Sequence, residues 1–184
     1  MNGHRIWKNL CLVASFLTLS AYSAGATTQV PAAKSSARSA VSGFYRLHFS
    51  NQKRMFFSRE NVRRVRGRLS PRLYRLMLYE FQRADEMEQK YRGEDARKPY
   101  FSGDVFTDSE SPPQVFRIGD STQRGKTAEV TVWCHWNDNV VGKMKRRIVV
   151  VLVLHQNTWL IDDLKYENGS GLVSELSRKD YFQK

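Results

Sequence analysis

Apolar side chains recur at helical spacing in three stretches of the first half of the chain. The first stretch places them at i, i+3, i+4 and i+7 and predicts an amphipathic helix that begins at Ala40. A second helix is predicted to start after Ser58, because serine caps helix N-termini. Ser70 and Pro71 start a third and longer helix, since proline suits the first helical position, and the apolar spacing continues to about Arg92.

The second half of the chain changes to the alternation of apolar and polar positions that is typical of β-strands. The third of four predicted strands contains an unbroken apolar run, 148–154, which indicates that both of its faces are covered. A turn at Gln156-Asn157 pairs the last two strands as a hairpin and sets Leu154 opposite Trp159. The four predicted strands are 115–118, 127–136, 145–155 and 158–166.

Helices that precede an antiparallel meander predict an α+β fold, in which the helices pack on one face of the sheet. Leu172 and Leu176 add a short C-terminal helix. The length of 184 residues suits one domain.

The N-terminus has the pattern of a secretory signal peptide. A positive region with Arg5 and Lys8 precedes a short apolar run, and Ala24-Gly25-Ala26 matches the A-x-A cleavage pattern. The apolar run is shorter than the roughly 20 residues that span a membrane, so an uncleaved anchor is the weaker alternative. We therefore expect a bacterial chain that is exported to the periplasm or secreted. The expected divisions are a signal peptide at 1–26, a flexible linker at 27–39 and a single domain at 40–184.

The charge of the chain is strongly positive and unevenly distributed. Lys and Arg number 30 against 18 Asp and Glu, which gives a net charge of +12. The segment 53–75 carries nine basic residues against the single acid Glu60, and Arg59, Arg63 and Arg66 follow helical spacing on one face. Arginine forms bidentate contacts with carboxylate and phosphate, so this basic face predicts an acidic protein or an anionic envelope component as partner. Export disfavours nucleic acid, and a merely solvated helix is the alternative.

Neither a cofactor nor a metal is expected. The histidines lack the spacing of metal ligands, and no glycine-rich phosphate loop or nucleophile motif is present. Cleavage of the signal peptide removes Cys11 and leaves Cys134, which lies in an apolar strand pattern and is expected to be a core residue.

Several motifs carry a family resemblance: Phe44-Tyr45 in the first helix, GDVFTDS at 103–109, and the strand 159–163 with Tyr166. On these motifs the chain resembles the nuclear transport factor 2-like superfamily and, within it, an exported bacterial domain family of unknown function (DUF3828). The resemblance implies a cone in which N-terminal helices pack against a strongly curved antiparallel sheet around a pocket. It also implies that a homodimer through the outer sheet face is compatible with the apolar run 148–154. The basic second helix departs from the family pattern.

A ligand pocket inside the cone would be lined by aromatic and acidic side chains. Aromatic residues at helical and strand spacing are also typical of a core, and acids in such a loop often build turns. Both interpretations stay open for the candidate lining, which is Phe44, Tyr45, Trp133, Trp159, Asp104 and Asp108.

Weak catalytic candidates are Asp162, Asp163 and His135. The two aspartates are adjacent on a strand and should point to opposite faces, so one is expected to face the packed or pocket side. Burial there would raise its pKa and suit a general base. The alternative is a carboxylate near the strand end that pairs with an arginine.

The leading functional hypothesis is an exported, non-catalytic binding or interaction protein, envelope-associated or immunity-like, whose basic face engages an anionic partner. One alternative is a cone-pocket enzyme of isomerase or hydrolase type that uses a strand carboxylate. Another is a passive binder of a small ligand. Whether the chain is an enzyme stays open at this point.

Overall fold

The computed structural model describes residues 35–50, 57–90, 103–138 and 142–178. Within these ranges helices precede a four-stranded antiparallel curved sheet and a short helix follows it, which confirms the predicted α+β class. The helices are α1 (Ala37–Phe49), α2 (Arg59–Val65), α3 (Pro71–Lys90) and α4 (Leu172–Leu176), with a 3-10 turn (Arg66–Arg68) after α2. The strands are β1 (Val115–Arg124), β2 (Thr127–Asp138), β3 (Gly142–His155) and β4 (Thr158–Lys165).

Helix α1 begins earlier than the predicted start at Ala40. Ser36 is its N-cap, and the hydroxyl of Ser36 accepts a hydrogen bond from Ser39 N at 3.1 Å. Ala37 is buried against the core, but a single small residue adds no periodicity to the sequence, so the end of the predicted linker 27–39 is helical. Residues 27–34 of that linker and the predicted signal peptide 1–26 lie outside the described residues.

Serine caps start the next two helices, as predicted. The hydroxyl of Ser58 accepts from Asn61 N at 3.2 Å, and that of Ser70 accepts from Leu73 N at 3.0 Å. Helix α3 extends to Lys90 in the described residues, and the last two residues of the predicted helix, 91 and 92, lie outside them. None of the helices in the described ranges is long and apolar enough to span a membrane.

The sheet has the order β1-β2-β3-β4, and the predicted hairpin register of Leu154 opposite Trp159 is confirmed. Strand β1 is longer than the predicted 115–118, because its second half is polar and exposed at the sheet edge and carries no alternation of apolar positions. Register shifts occur in β1 after Ile118 and in the β3–β4 pair at Val151, where such irregularities bend a sheet.

The core lies between the helices and the inner face of the sheet. Cys134 lies in this core as predicted, and burial raises the pKa of its thiol to about 12. The predicted cover on both faces of 148–154 is wrong. Ile148, Val150 and Leu152 are buried under the helices, whereas the valines between them face outward and are only half-buried by their neighbours in the sheet.

Candidate functional site

The GDVFTDS loop is organised by one buried carboxylate. Asp104, only 4% exposed, accepts from Phe106 N at 3.0 Å and from the Thr107 hydroxyl at 2.6 Å. Nε2 of His48 on α1 lies 2.7 Å from Oδ2 of the same carboxylate. A backbone bridge closes the loop, since Asp104 N donates to Ser109 O at 2.7 Å. Asp104 therefore builds the turn and ties it to α1.

Two buried tyrosines hold the loop from the core. The hydroxyl of Tyr45 on α1 donates to Phe106 O at 2.8 Å, and that of Tyr166, after β4, donates to Val105 O at 2.9 Å. Burial raises the pKa of both phenols well above their ordinary value, so both remain protonated donors. The loop is thus hydrogen-bonded both to helix α1 and to the residue that follows β4.

The outer end of the loop is held by β3. Asp108 adopts a left-handed backbone conformation with φ of 51°, and Arg146 donates to its carboxylate at 3.1 Å and to its carbonyl. Burial raises the pKa of Asp108, and Arg146 opposes that shift without cancelling it.

A cavity of about 590 Å³ opens between this loop, the end of the sheet and the segment that leads into α4. Its volume lies within the roughly 300–1,000 Å³ of small-molecule sites. Trp136, Met144 and Arg146 supply the sheet side of its lining, and Asp104 and Asp108 the loop side. Met144 is 39% exposed, because β3 extends here beyond the helices that cover the inner face elsewhere.

The predicted pocket residues separate into three groups. Asp104 and Asp108 line the cavity. Phe44, Tyr45 and Trp159 are buried in the core, at most 3% exposed, and are outside the cavity lining.

The third group is Trp133, which lies on the outer face of β2, where the Lys145 ammonium sits 5.3 Å from its ring centroid. Sequence reasoning missed Trp136, Met144 and Arg146 as lining residues. Continuing the inward alternation of β3 back from Ile148 would have found the last two.

The two candidate catalytic aspartates are engaged at helix ends. Asp162 accepts from the Ser70 hydroxyl at 2.5 Å and from Arg72 at 2.9 Å, beside the N-terminus of α3. Asp163 accepts from Val173 N at 2.9 Å in the first turn of α4. Asp162 is also the extra residue at the register shift of β4, because Ile161 and Asp163 pair with consecutive residues of β3.

His135 lies far from both aspartates. It pairs with Lys145, whereas Asp163 pairs with Val151, and six positions along β3 correspond to about 20 Å. None of these three candidates is in the cavity lining. In the four described ranges no group of three His, Cys, Asp or Glu side chains is arranged to hold a metal ion.

The three arginines that were predicted to share one helix face have different roles in the structure. Arg59 donates to Phe81 O at 2.9 Å, forms an ion pair with Asp85 and lies over the Phe81 ring, so it fastens α2 to α3. Arg63 and Arg66 are exposed, and the Arg66 guanidinium lies 5.4 Å from the Tyr74 ring centroid.

Further exposed arginines surround these two. The Arg68 guanidinium lies against α1, 3.8 Å from the place that a Cβ at Gly43 would occupy, and Arg46 follows Gly43 by one helical turn. Within the described part of the chain, none of these surface arginines forms an ion pair. We call the set the basic face; it consists of Arg46, Arg63, Arg66, Arg68 and Arg75.

Comparison of the chain with protein-family models, with curated proteins and with solved structures gives no match. The cavity and the basic face must therefore be interpreted from their own chemistry. The cavity has a mixed lining of acids, one arginine and two large apolar side chains. The basic face consists of five exposed arginines on four segments, namely α1, α2, the 3-10 turn and α3.

Proposed function

We propose that this chain is an exported, non-catalytic binding protein of the nuclear transport factor 2-like cone type, envelope-associated or immunity-like, and that its basic face binds an anionic partner. One observation carries the proposal: five exposed arginines on α1, α2, the 3-10 turn and α3 have no acidic residue of the described ranges paired to them. The proposed export rests on the signal-peptide pattern of 1–26.

Several arginines that join parts of the fold are paired with acids. Arg59, Arg72, Arg83 and Arg146 each contact a carboxylate, and each joins two turns or two elements. The basic face lacks such pairs, so its like charges repel one another, and a bound anion would relieve that repulsion. Arginine also matches carboxylate and phosphate geometry better than lysine does.

The enzyme alternative has no comparable support. Asp162 and Asp163 are hydrogen-bonded at the ends of α3 and α4, outside the cavity lining, and His135 is on the other side of the sheet. A general base needs to reach a substrate proton within hydrogen-bonding distance, and a carboxylate committed to a helix end is poorly placed for that.

Charge reversal on the basic face is expected to weaken binding of a soluble polyanion. The variant Arg63→Glu, Arg66→Glu, Arg68→Glu, Arg75→Glu should bind fluorescent polyglutamate at least about tenfold more weakly than the unaltered chain, since exposed pairs contribute about 0.2–1 kcal/mol each. Fluorescence anisotropy at low and high salt measures this affinity, and salt should weaken the wild-type interaction.

The matched control changes the same net charge on the sheet, by reversal of Arg117, Arg124, Lys126 and Lys143, all of which are exposed. This control should retain most of the binding. Equal loss in both variants would show that net charge alone, and no particular face, attracts the anion.

A second candidate function, a passive small-ligand binder, is favoured by the cavity. We expect native mass spectrometry of chain purified from its own host to show a bound small molecule that Met144→Trp displaces. Val115→Trp, at an exposed position outside the lining, is the control and should keep the ligand. A bound mass that survives both substitutions equally would place the ligand elsewhere.

A further inference from the structure

We infer that the anionic partner of the basic face is the phosphate-bearing surface of an anionic lipid bilayer; the inference rests on the proposed function. Lipid phosphates are the chemistry that arginines of this kind recognise without a shaped pocket. An acidic protein is the competing partner.

The basic face is built by four segments, namely α1, α2, the 3-10 turn and α3. Arg66 lies over the ring of Tyr74 and so joins the 3-10 turn to the first turn of α3. Arg68 extends in the other direction onto α1 at Gly43, beside Arg46. The guanidinium groups are therefore spread over a surface rather than gathered at one point, which suits an array of headgroups.

Within the described ranges only one large, exposed apolar or aromatic side chain adjoins the basic face, whereas a protein interface usually has a cluster of them. Protein partners are held mainly by large apolar or aromatic side chains that fill pockets at the centre of the contact. The large hydrophobic side chains that are exposed in the described ranges are Tyr79, Val115 and Met144. Of these only Tyr79 adjoins the basic face, one helical turn after Arg75, while the other two are on the sheet.

Tyr79 has the character of a side chain at a membrane interface. It is 55% exposed on the same stripe of α3 as Arg75, with an apolar ring and a polar hydroxyl. Tyrosine is enriched at the headgroup level of bilayers for that reason. Cations and one amphipathic ring are the combination expected of a surface that lies on lipid headgroups.

Helix α3 is also polarised in charge along its length. Its first turns carry Arg72 and Arg75 and no acid, whereas the turns from residue 80 onward carry four acids against the two bases Arg83 and Lys90. An anionic bilayer attracts the first part and repels the last, which gives the chain one preferred orientation on the membrane.

The test is cosedimentation of the full chain with vesicles of phosphatidylcholine alone or mixed with phosphatidylglycerol. All variants share one N-terminus, so differences between them report the basic face. We expect stronger binding to the mixed vesicles than to phosphatidylcholine alone, weakened by salt, and reduced by roughly three orders of magnitude or more in the four-arginine reversal, because each arginine near an anionic surface multiplies the partition about fivefold. The sheet reversal should retain binding.

Two further variants keep the test decisive. Glutamine at the same four arginines removes the attraction without adding repulsion, so it should also lose most of the binding, and it serves if the glutamate variant fails to fold. Tyr79→Ser should weaken vesicle binding severalfold and leave polyglutamate binding unchanged, since the peptide offers no apolar layer for the ring.

Each outcome separates the two proposals. Polyglutamate binding that depends on the basic face, without binding to phosphatidylglycerol vesicles, overturns the lipid inference, assigns an acidic protein and leaves the proposed function standing. Loss of both interactions to the same extent in the basic-face and sheet reversals overturns both proposals.

Discussion

Replacing Asp104 by alanine is expected to destabilise the domain by about 3–5 kcal/mol, the cost of removing one partner from a buried charged or hydrogen-bonded pair. The carboxylate is the common acceptor for His48 Nε2, the Thr107 hydroxyl and Phe106 N. All three donors lie in buried residues, so the substitution leaves them without an acceptor and without water. Urea denaturation followed by circular dichroism measures the change in the free energy of unfolding.

Asp108→Ala is the matched control in the same loop. Its carboxylate is 41% exposed and pairs with an exposed Arg146, so we expect a loss within about 1 kcal/mol. Asp104→Asn should fall between the two, because the amide oxygen still accepts while its NH2 group cannot accept from a second donor. Equal destabilisation by the two alanine variants would contradict a central role for Asp104.

The elements of this fold were predictable because local signals specify them. Ser58 and Ser70 cap their helices, and the apolar alternation of β2 matches the buried face of the sheet. The start of α1 and the second half of β1 were missed for one physical reason. Small or polar residues there take their structure from capping and edge pairing, which leave no hydrophobic period in the sequence.

The chemistry of the candidate site was only partly predictable. The role of Asp104 in the turn was predictable, because an aspartate side chain commonly accepts a hydrogen bond from the backbone N–H two residues later, as Asp104 does from Phe106 N. The tyrosine hydroxyls that hold the same loop come from residues 61 positions away in both directions, and no local pattern encodes that contact.

Arg59 illustrates the same limit on the basic face. Helical spacing predicts that Arg59 shares a face with Arg63 and Arg66. The spacing cannot show that the Arg59 guanidinium forms an ion pair with Asp85 on another helix. The basic face therefore includes Arg68, whose guanidinium reaches α1 at Gly43 only once α1 and the 3-10 turn are packed. Charge content was visible in the sequence, whereas the division into paired and unpaired arginines required the fold.

A methyl group at position 103 is expected to disrupt the same loop by steric conflict rather than by loss of a hydrogen bond. In Gly103→Ala the new Cβ would lie 2.4 Å from Ser109 O and 3.0 Å from Ser109 C, which are backbone atoms. Relief requires the strand-like bridge between Asp104 and Ser109 to open, so we expect a loss of about 3 kcal/mol or more, at the upper end for overpacking. The midpoint and slope of urea unfolding measure it.

Gly67→Ala is the control, since no atom lies within 4 Å of the Cβ that it would add. The change should stay within about 0.5 kcal/mol, as for surface substitutions without a special contact. Hydrogen exchange adds a local test, because Asp104 N, which donates to Ser109 O at 2.7 Å, should lose protection in the Gly103 variant and keep it in the control. An unchanged exchange rate at Asp104 N in Gly103→Ala would show that the loop absorbs the methyl group elsewhere and that the bridge does not depend on glycine.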